Sequence, residues 1–358
     1  MFIPDCTLVT ACFDLSAYHP GARTPEKALK GIDVILKLPI YLIIFGNKPV
    51  IDIIKERRNS YNYEAMTLYV CQDYEEIWSA QFTEKVKENR EKYWPTRDER
   101  TCPESHLMCA NKFDFVLKGI EMNPFQTSKF GWIDSNLHID DNTNKICHMY
   151  NSQRIPYVLN NVSNKKFHIQ VMGAVDKKYK DMNMKAEYYT EYRWLVSGCL
   201  FTCGIEVGKK ILTRLKEIVR ETTLAGYGHG EEAFYLEVLD EFYDDIERSY
   251  GDYGQILNNF INVTTNFYYV FNTIMQRQYY MGQYREAFDC CKKLIYSIEN
   301  HLLDSEFDYG LYISTLRFQY SAAQQCKPHE CEAILKKMKH TASINKSFND
   351  ALGGIFVW

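Results

Sequence analysis

Three short apolar runs, at residues 7–13, 40–45 and 67–71, are separated by two stretches with helical spacing, and this alternation constrains the fold more than any other feature of the chain. The runs are close to continuously apolar, which is the pattern of strands buried on both faces. Between the first two, Pro25 and Glu26 open a helix whose residues Ala28, Ile32, Ile35 and Leu36 share one face. Gly46-Asn47 stops the second run, and a helix over 50–58 leads into the third. A strand–helix–strand–helix–strand order predicts parallel neighbours with helices on the sheet faces. A helix over 105–121 follows, with Cys109, Phe113, Val116, Leu117 and Ile120 on one face and Asn123-Pro124 as its stop. The run Phe130-Gly131-Trp132-Ile133 then adds a fourth strand.

The remaining organisation is coarser. Residues 72–104 predict helices and a loop, and the Asn-rich stretch 139–165 predicts a loop or β-ribbon. Strands are predicted at 167–171 and 193–201, with a charged, tyrosine-rich helix between them. Amphipathic helices are predicted over 205–220 and 231–248. Beyond residue 262 only helices are expected, over 267–281, 283–300, 306–325 and 328–340. The segment Gly282-x-Tyr284-x-x-Ala287 resembles a tetratricopeptide turn, without a repeat of about 34 residues to support a solenoid. The expected division is an α/β domain over 1–261 and a helical region over 262–358.

Composition narrows the function classes. Net charge is −4 with no basic block, which argues against phosphate-driven nucleic-acid binding. The longest apolar runs, 38–45 and 194–201, are too short to cross a bilayer. The chain starts Met1-Phe2-Ile3-Pro4-Asp5 without a basic and then apolar leader, so a cytoplasmic location is expected. Of the 12 cysteines, Cys12, Cys71 and Cys199 sit in apolar strand-like runs and Cys290-Cys291 on a helix, as core thiols in a reducing compartment do.

Several constellations carry candidate chemistry. Asp134 ends a buried strand, with Asn136 two positions on, and a carboxylate at such a lip can hold a divalent cation against a diphosphate. The plainer reading is a turn-capping aspartate. Thr10 and Asp73 fall at the ends of other parallel strands. Lys112, read at the centre of the 105–121 helix and about a strand-length from Asp134, can reach phosphate or ribose oxygens; otherwise it is a surface lysine. Gly198 and Gly204 bracket a strand where backbone can approach a ligand or simply pack closely. Gly228-His229-Gly230-Glu231-Glu232 places a histidine and two carboxylates at a helix start, where Glu231 or Glu232 can serve as general base and His229 as a metal or phosphate contact. The positive end of a helix is expected to keep those carboxylates ionised. Gly251-Asp252-Tyr253 reads as a turn.

Taken in order, these pieces resemble the HtrL/YibB family, whose relatives include WlaTC-type proteins. The resemblance rests on Thr7-Leu8-Val9-Thr10-Ala11-Cys12-Phe13-Asp14, Asn111-Lys112 running to Asn123-Pro124-Phe125, and Trp132-Ile133-Asp134. It continues through Gly198-x-x-Phe201-x-x-Gly204, Glu231-Glu232, and Gly251-Asp252-Tyr253 with Asn258-Asn259-Phe260, covering roughly residues 5–300. It implies a GT-A-like, Rossmann-like mixed sheet flanked by helices and a metal-assisted glycosyltransferase site at Trp-x-Asp. By that analogy Thr10, Ala11 and Lys112 approach the nucleotide, and Asp134 holds Mn²⁺ or Mg²⁺ with Asn136 and His229. Asn136 stands where a second aspartate is usual.

The expected activity is sugar transfer from a nucleoside-diphosphate donor, a UDP-sugar being favoured, to a hydroxyl of a glycan, lipid-linked or protein acceptor. Asp73, Gly198 and Gly204 join the expected donor contacts, and a homodimer is an expected assembly. The alternative is a non-catalytic scaffold that binds partners through its C-terminal helices. A nucleotidyltransferase ranks lower, because Asp14-Leu15-Ser16-Ala17-Tyr18 is not a Gly-rich phosphate loop.

Overall fold

The apolar runs form the strands they predict. In the computed structural model, β1 (Thr7–Ala11), β2 (Tyr41–Gly46), β3 (Thr67–Cys71) and β4 (Lys129–Ile133) are parallel neighbours. Residues 3–19, 25–94, 101–135, 154–191, 193–227, 230–251, 256, 268–300 and 309–344 are described. The helices between these strands are α1 (Pro25–Leu36), α2 (Lys48–Ser60), α3 (Thr83–Lys92), α4 (Pro103–Ala110) and α5 (Lys112–Met122). Two more strands, β5 (Phe167–Val171) and β6 (Val196–Gly204), and a last one, β7 (Ile246–Tyr250), complete a seven-stranded sheet of order β3-β2-β1-β4-β6-β5-β7. Strand β6 runs antiparallel to both β4 and β5, so the sheet is mixed. Every residue of β1, β4, β5 and β6 is buried, as continuous apolar runs require.

One buried cation ties the first half together. Arg58 on α2 donates to the carbonyls of Leu36 and Leu38 at 2.7 Å each and of Ile40 at 2.8 Å, and to Thr67 Oγ1 at 2.9 Å. It therefore satisfies the orphan carbonyls where α1 hands over to β2. Arg58→Met is expected to cost about 3 kcal/mol in urea unfolding, because the Leu36 and Ile40 carbonyls lose their buried donor while Leu38 O keeps Ile40 N. A loss below about 1 kcal/mol would show that water replaces the guanidinium there.

The sequence reading differs from the fold in several places. The single helix at 105–121 is two helices. Asn111 breaks it, its side chain turned to accept a hydrogen bond from Ser79 N at 3.0 Å. Part of the stretch read as loop or ribbon is α6 (Arg154–Asn161), whose Ile155, Val158 and Leu159 are buried at helical spacing. The tyrosine-rich helix is two 3₁₀ turns and a short α7 (Lys185–Tyr189). After α8 (Ile205–Leu224), the helix expected over 231–248 is a 3₁₀ turn at Glu231–Phe234 and α9 (Tyr235–Glu241), followed by β7. Cys71 is exposed, not core.

The chain divides into two compact units, Met1–Val171 with Tyr179–Arg248, and Met172–Lys178 with Ser249–Trp358. The helices of the second are α10 (Tyr268–Tyr280), α11 (Tyr284–Glu299), α12 (Tyr309–Cys326) and α13 (Cys331–Ile344). Gly282, at φ +76°, makes the left-handed turn between α10 and α11. Buried Phe271, Met275, Phe288, Cys291 and Leu294 hold those two helices together. Among the described residues no helix is long and apolar enough to cross a membrane.

Candidate active site

The C-terminal edge of the parallel strands, where ligands of open α/β sheets collect, carries a charged cluster. Asp134 follows β4 directly. Its N–H donates to Cys199 O at 2.9 Å, which extends the β4–β6 ladder by one bond and pins the residue at the lip. Its Oδ1 accepts from Trp132 Nε1, two residues back on the same face. The Asp134 side chain is 36% exposed, whereas Lys112 is 1% exposed.

The break at Asn111 makes Lys112 the first residue of α5 and not a mid-helix residue. From there its ammonium lies 2.6 Å from Glu231 Oε1, 2.9 Å from Gly198 O and 3.5 Å from Asp134 Oδ1. The Trp132 ring lies 5.6 Å away. Gly198 permits this approach. A Cβ there would stand 3.2 Å from both Lys112 Nζ and Glu231 Oε1, tighter than ordinary packing.

Burial opposes the charge on Lys112, but Asp134 and then Glu231 outweigh it and hold the ammonium well above its usual range. Glu231 is likewise pushed up by burial, and Lys112 reverses this, so it is ionised more readily than a free glutamate. For Glu232 the Lys112 charge does not outweigh burial. Burial, then the Glu231 charge, raise it to about 8, against the expectation that a helix start would keep both carboxylates ionised. The sign of the consequence follows from linkage. The folded chain holds this proton up to about pH 8 whereas the unfolded chain releases it near 4.5, so the contribution to stability is full below 4.5 and lost as pH rises through 8. Thermal melts across that interval should fall with pH in the wild type, and Glu232→Gln should flatten the slope. An unchanged slope would mean another group causes it.

The other candidates are placed as follows. Thr10 and Ala11 end β1 on the same edge. Continuing the register Val9↔Trp132 sets Ala11 level with Asp134. Thr10 Oγ1 is buried with no hydrogen-bond partner among the described residues. Asp73 is on that edge but beyond β3, separated from β4 by β2 and β1. Its N–H donates to Glu76 Oε2 at 2.7 Å, and it caps a 3₁₀ turn. Gly204 is not with the cluster. It pairs with Lys129 at the opposite end of β4, four residues from Ile133 and roughly 13 Å along the strand. A Cβ on Gly204 would fall 1.7 Å from Asn164 O, so this glycine serves packing. Asn136, Gly228, His229, Asp252, Tyr253 and Asn258-Asn259-Phe260 lie outside the described residues.

Two members of the cluster carry no separate assignment in the sequence reading. Trp132 orients Asp134, and its i,i+2 position on one strand face was the available signal. Tyr235, on α9, has its hydroxyl buried without a hydrogen-bond partner among the described residues, held edge-on to Phe113 at 5.6 Å. No short-range pattern marks it.

Among the described residues, no group of three or more His, Cys, Asp and Glu side chains is arranged to hold a metal. Among the described carboxylates of this cluster, Asp134 is the most accessible, at 36% against 12% for Glu231. That donor set is too small for a dedicated protein cage but fits an ion held by one carboxylate with substrate phosphates completing its shell.

No family model matches the chain. No curated protein matches it either, so the likeness to the HtrL/YibB family remains one of motifs. Solved structures do match in shape. Mouse xyloside xylosyltransferase 1, in its apo form, is 10% identical over 69% of this chain and 85% of its own, with a TM-score of 0.37. Core-mannan synthase A from Aspergillus fumigatus, in its Mn/GDP form, is 10% identical over 68% of this chain and 72% of its own, with a TM-score of 0.36. A likeness at this level assigns no residue a role.

Proposed function

We propose that the chain is a glycosyltransferase that moves a sugar from a nucleoside-diphosphate donor, a UDP-sugar being favoured, to an acceptor hydroxyl. The observation that carries this reading is the buried Lys112 ammonium, fixed 2.6 Å from Glu231 and 3.5 Å from Asp134 at the lip of β4. An ammonium has three donors. Glu231 and Gly198 O take two, and Asp134 Oδ1 at the lip lies 3.5 Å from the ammonium. A fixed donor costs no reorganisation when charge builds on a departing diphosphate. Thr10 and Ala11, level with this cluster on β1, would bound the nucleotide.

Asp134 would hold a divalent cation that arrives with the diphosphate, and such an ion acts as a Lewis acid on the leaving phosphate. Glu231 is committed to Lys112, so it positions the ammonium and is a poor proton acceptor. Glu232, raised to about 8, carries its proton at neutral pH, so base catalysis through it would grow as pH rises toward 8. The motifs that resemble the HtrL/YibB group point to the same reaction class.

The test is donor hydrolysis. Purified full-length protein, incubated with UDP-, GDP-, dTDP- and CMP-sugars with and without Mn²⁺, should release nucleotide from one donor. If no donor is hydrolysed and no nucleotide gives heat on titration, the transferase reading fails and the scaffold reading replaces it.

A further inference from the structure

A second feature of the first unit is an open cleft of about 700 Å³, lined by the segment after β1, the 3₁₀ turns after β3, and the first turns of α3 and α4. That volume is in the range of small-ligand sites. Its walls are aromatic. Tyr18 is 38% exposed and its ring lies 5.2 Å from Tyr74 at 56°. Trp78 is braced from behind by Phe82, edge-on at 5.5 Å, and by Lys216, 4.7 Å over the ring.

The polar groups of the cleft are mainly acceptors. Glu75 takes the Tyr18 hydroxyl, and Glu84 takes Lys87 at 2.8 Å. Glu104 differs from both. It is 4% exposed and its carboxylate lies 3.7 Å from the Lys87 ammonium on the wall of the cleft. A carboxylate accepts through two oxygens, so on the wall of a cleft it can take hydroxyl donors of a ligand in place of water. Three carboxylates against one ammonium repel phosphate, so this is not where a diphosphate rests.

We propose that the cleft binds a neutral saccharide, with its C–H faces on Tyr18 and Trp78 and its hydroxyls donating to Glu104 and Glu75. Aromatic faces beside hydroxyl acceptors are the chemistry that recognises such a ligand. Its role as the acceptor subsite rests on the transferase reading above. The two sites share a support. Ser79, next to Trp78, donates to Asn111 Oδ1 at 3.0 Å, and Asn111 directly precedes Lys112. Lys216, behind Trp78, is bound to Asp114 on the same turn of α5 at 2.5 Å.

The experiment titrates full-length protein with neutral gluco-, manno-, xylo- and galacto-oligosaccharides, read by tryptophan fluorescence and saturation-transfer NMR. One series should bind. Tyr18→Ala and Glu104→Gln should each weaken it by about tenfold or more while donor hydrolysis and nucleotide affinity hold. Tyr18→Ala removes a half-exposed ring, so its fold should survive, and a melt matching wild type verifies this. The proposal is overturned if no series binds at millimolar concentration, or if both variants bind as wild type does. It is also overturned if the variants weaken nucleotide and not saccharide, since the cleft then belongs to the donor. Saccharide binding with neither donor hydrolysis nor nucleotide heat would uphold the cleft and sink the transferase reading alone.

Discussion

Lys112→Met is expected to lower folding stability by about 3–5 kcal/mol and to remove donor turnover. The ammonium is buried, and its loss leaves the Glu231 carboxylate, only 12% exposed on its side chain, without its partner at 2.6 Å. It also strands Gly198 O, which now accepts from Lys112 at 2.9 Å. The double variant Lys112→Met/Glu231→Leu separates the two effects. With both charges gone, most of the stability should return, since apolar replacement of a buried pair is often neutral or better. Turnover should stay absent, because the fixed donor at the lip is gone. Chemical denaturation of the two single variants and the double closes a thermodynamic cycle. A single variant that unfolds like wild type would remove the claim that this pair balances buried charge.

Asp134→Asn is the second large effect, and it should fall mainly on activity. Donor turnover should drop about 100-fold or more, the scale of losing one electrostatic stabiliser. The melt should fall modestly, because the Asp134 charge helps hold the buried Lys112 ammonium while Glu231 still pairs with it. Asparagine still offers Oδ1 to Trp132 Nε1, and the backbone bond from residue 134 to Cys199 O does not depend on the side chain. Any stimulation of wild-type turnover by Mn²⁺ should vanish with it. Undiminished turnover in Asp134→Asn would dissociate this carboxylate from the chemistry.

The parallel half of the sheet was legible because β1, β2, β3 and β4 are continuous apolar runs with helical stretches between them. Placing Asp134, Thr10 and Ala11 on one edge needed only the ends of those runs and the parallel rule. The same reasoning could not give the direction of β6. A strand buried on both faces reads the same in either orientation, so its antiparallel pairing with β4 left Gly198 at the site and carried Gly204 to the far end. The break at Asn111 was hidden for a related reason. Apolar spacing runs through it, and the hydrogen bond that Asn111 Oδ1 accepts at this junction comes from Ser79, 32 positions away.

Periodicity over neighbouring residues therefore determined the strands, their parallel direction in the first half, and the lip on which Asp134 stands. Contacts between distant segments decided what that lip can do. Lys112 and Glu231 are 119 positions apart, and no local pattern couples them. Their ionisation is a property of the enclosure, as is the proton that Glu232 keeps to about pH 8, because removing water from a charge has no counterpart in an isolated stretch of chain.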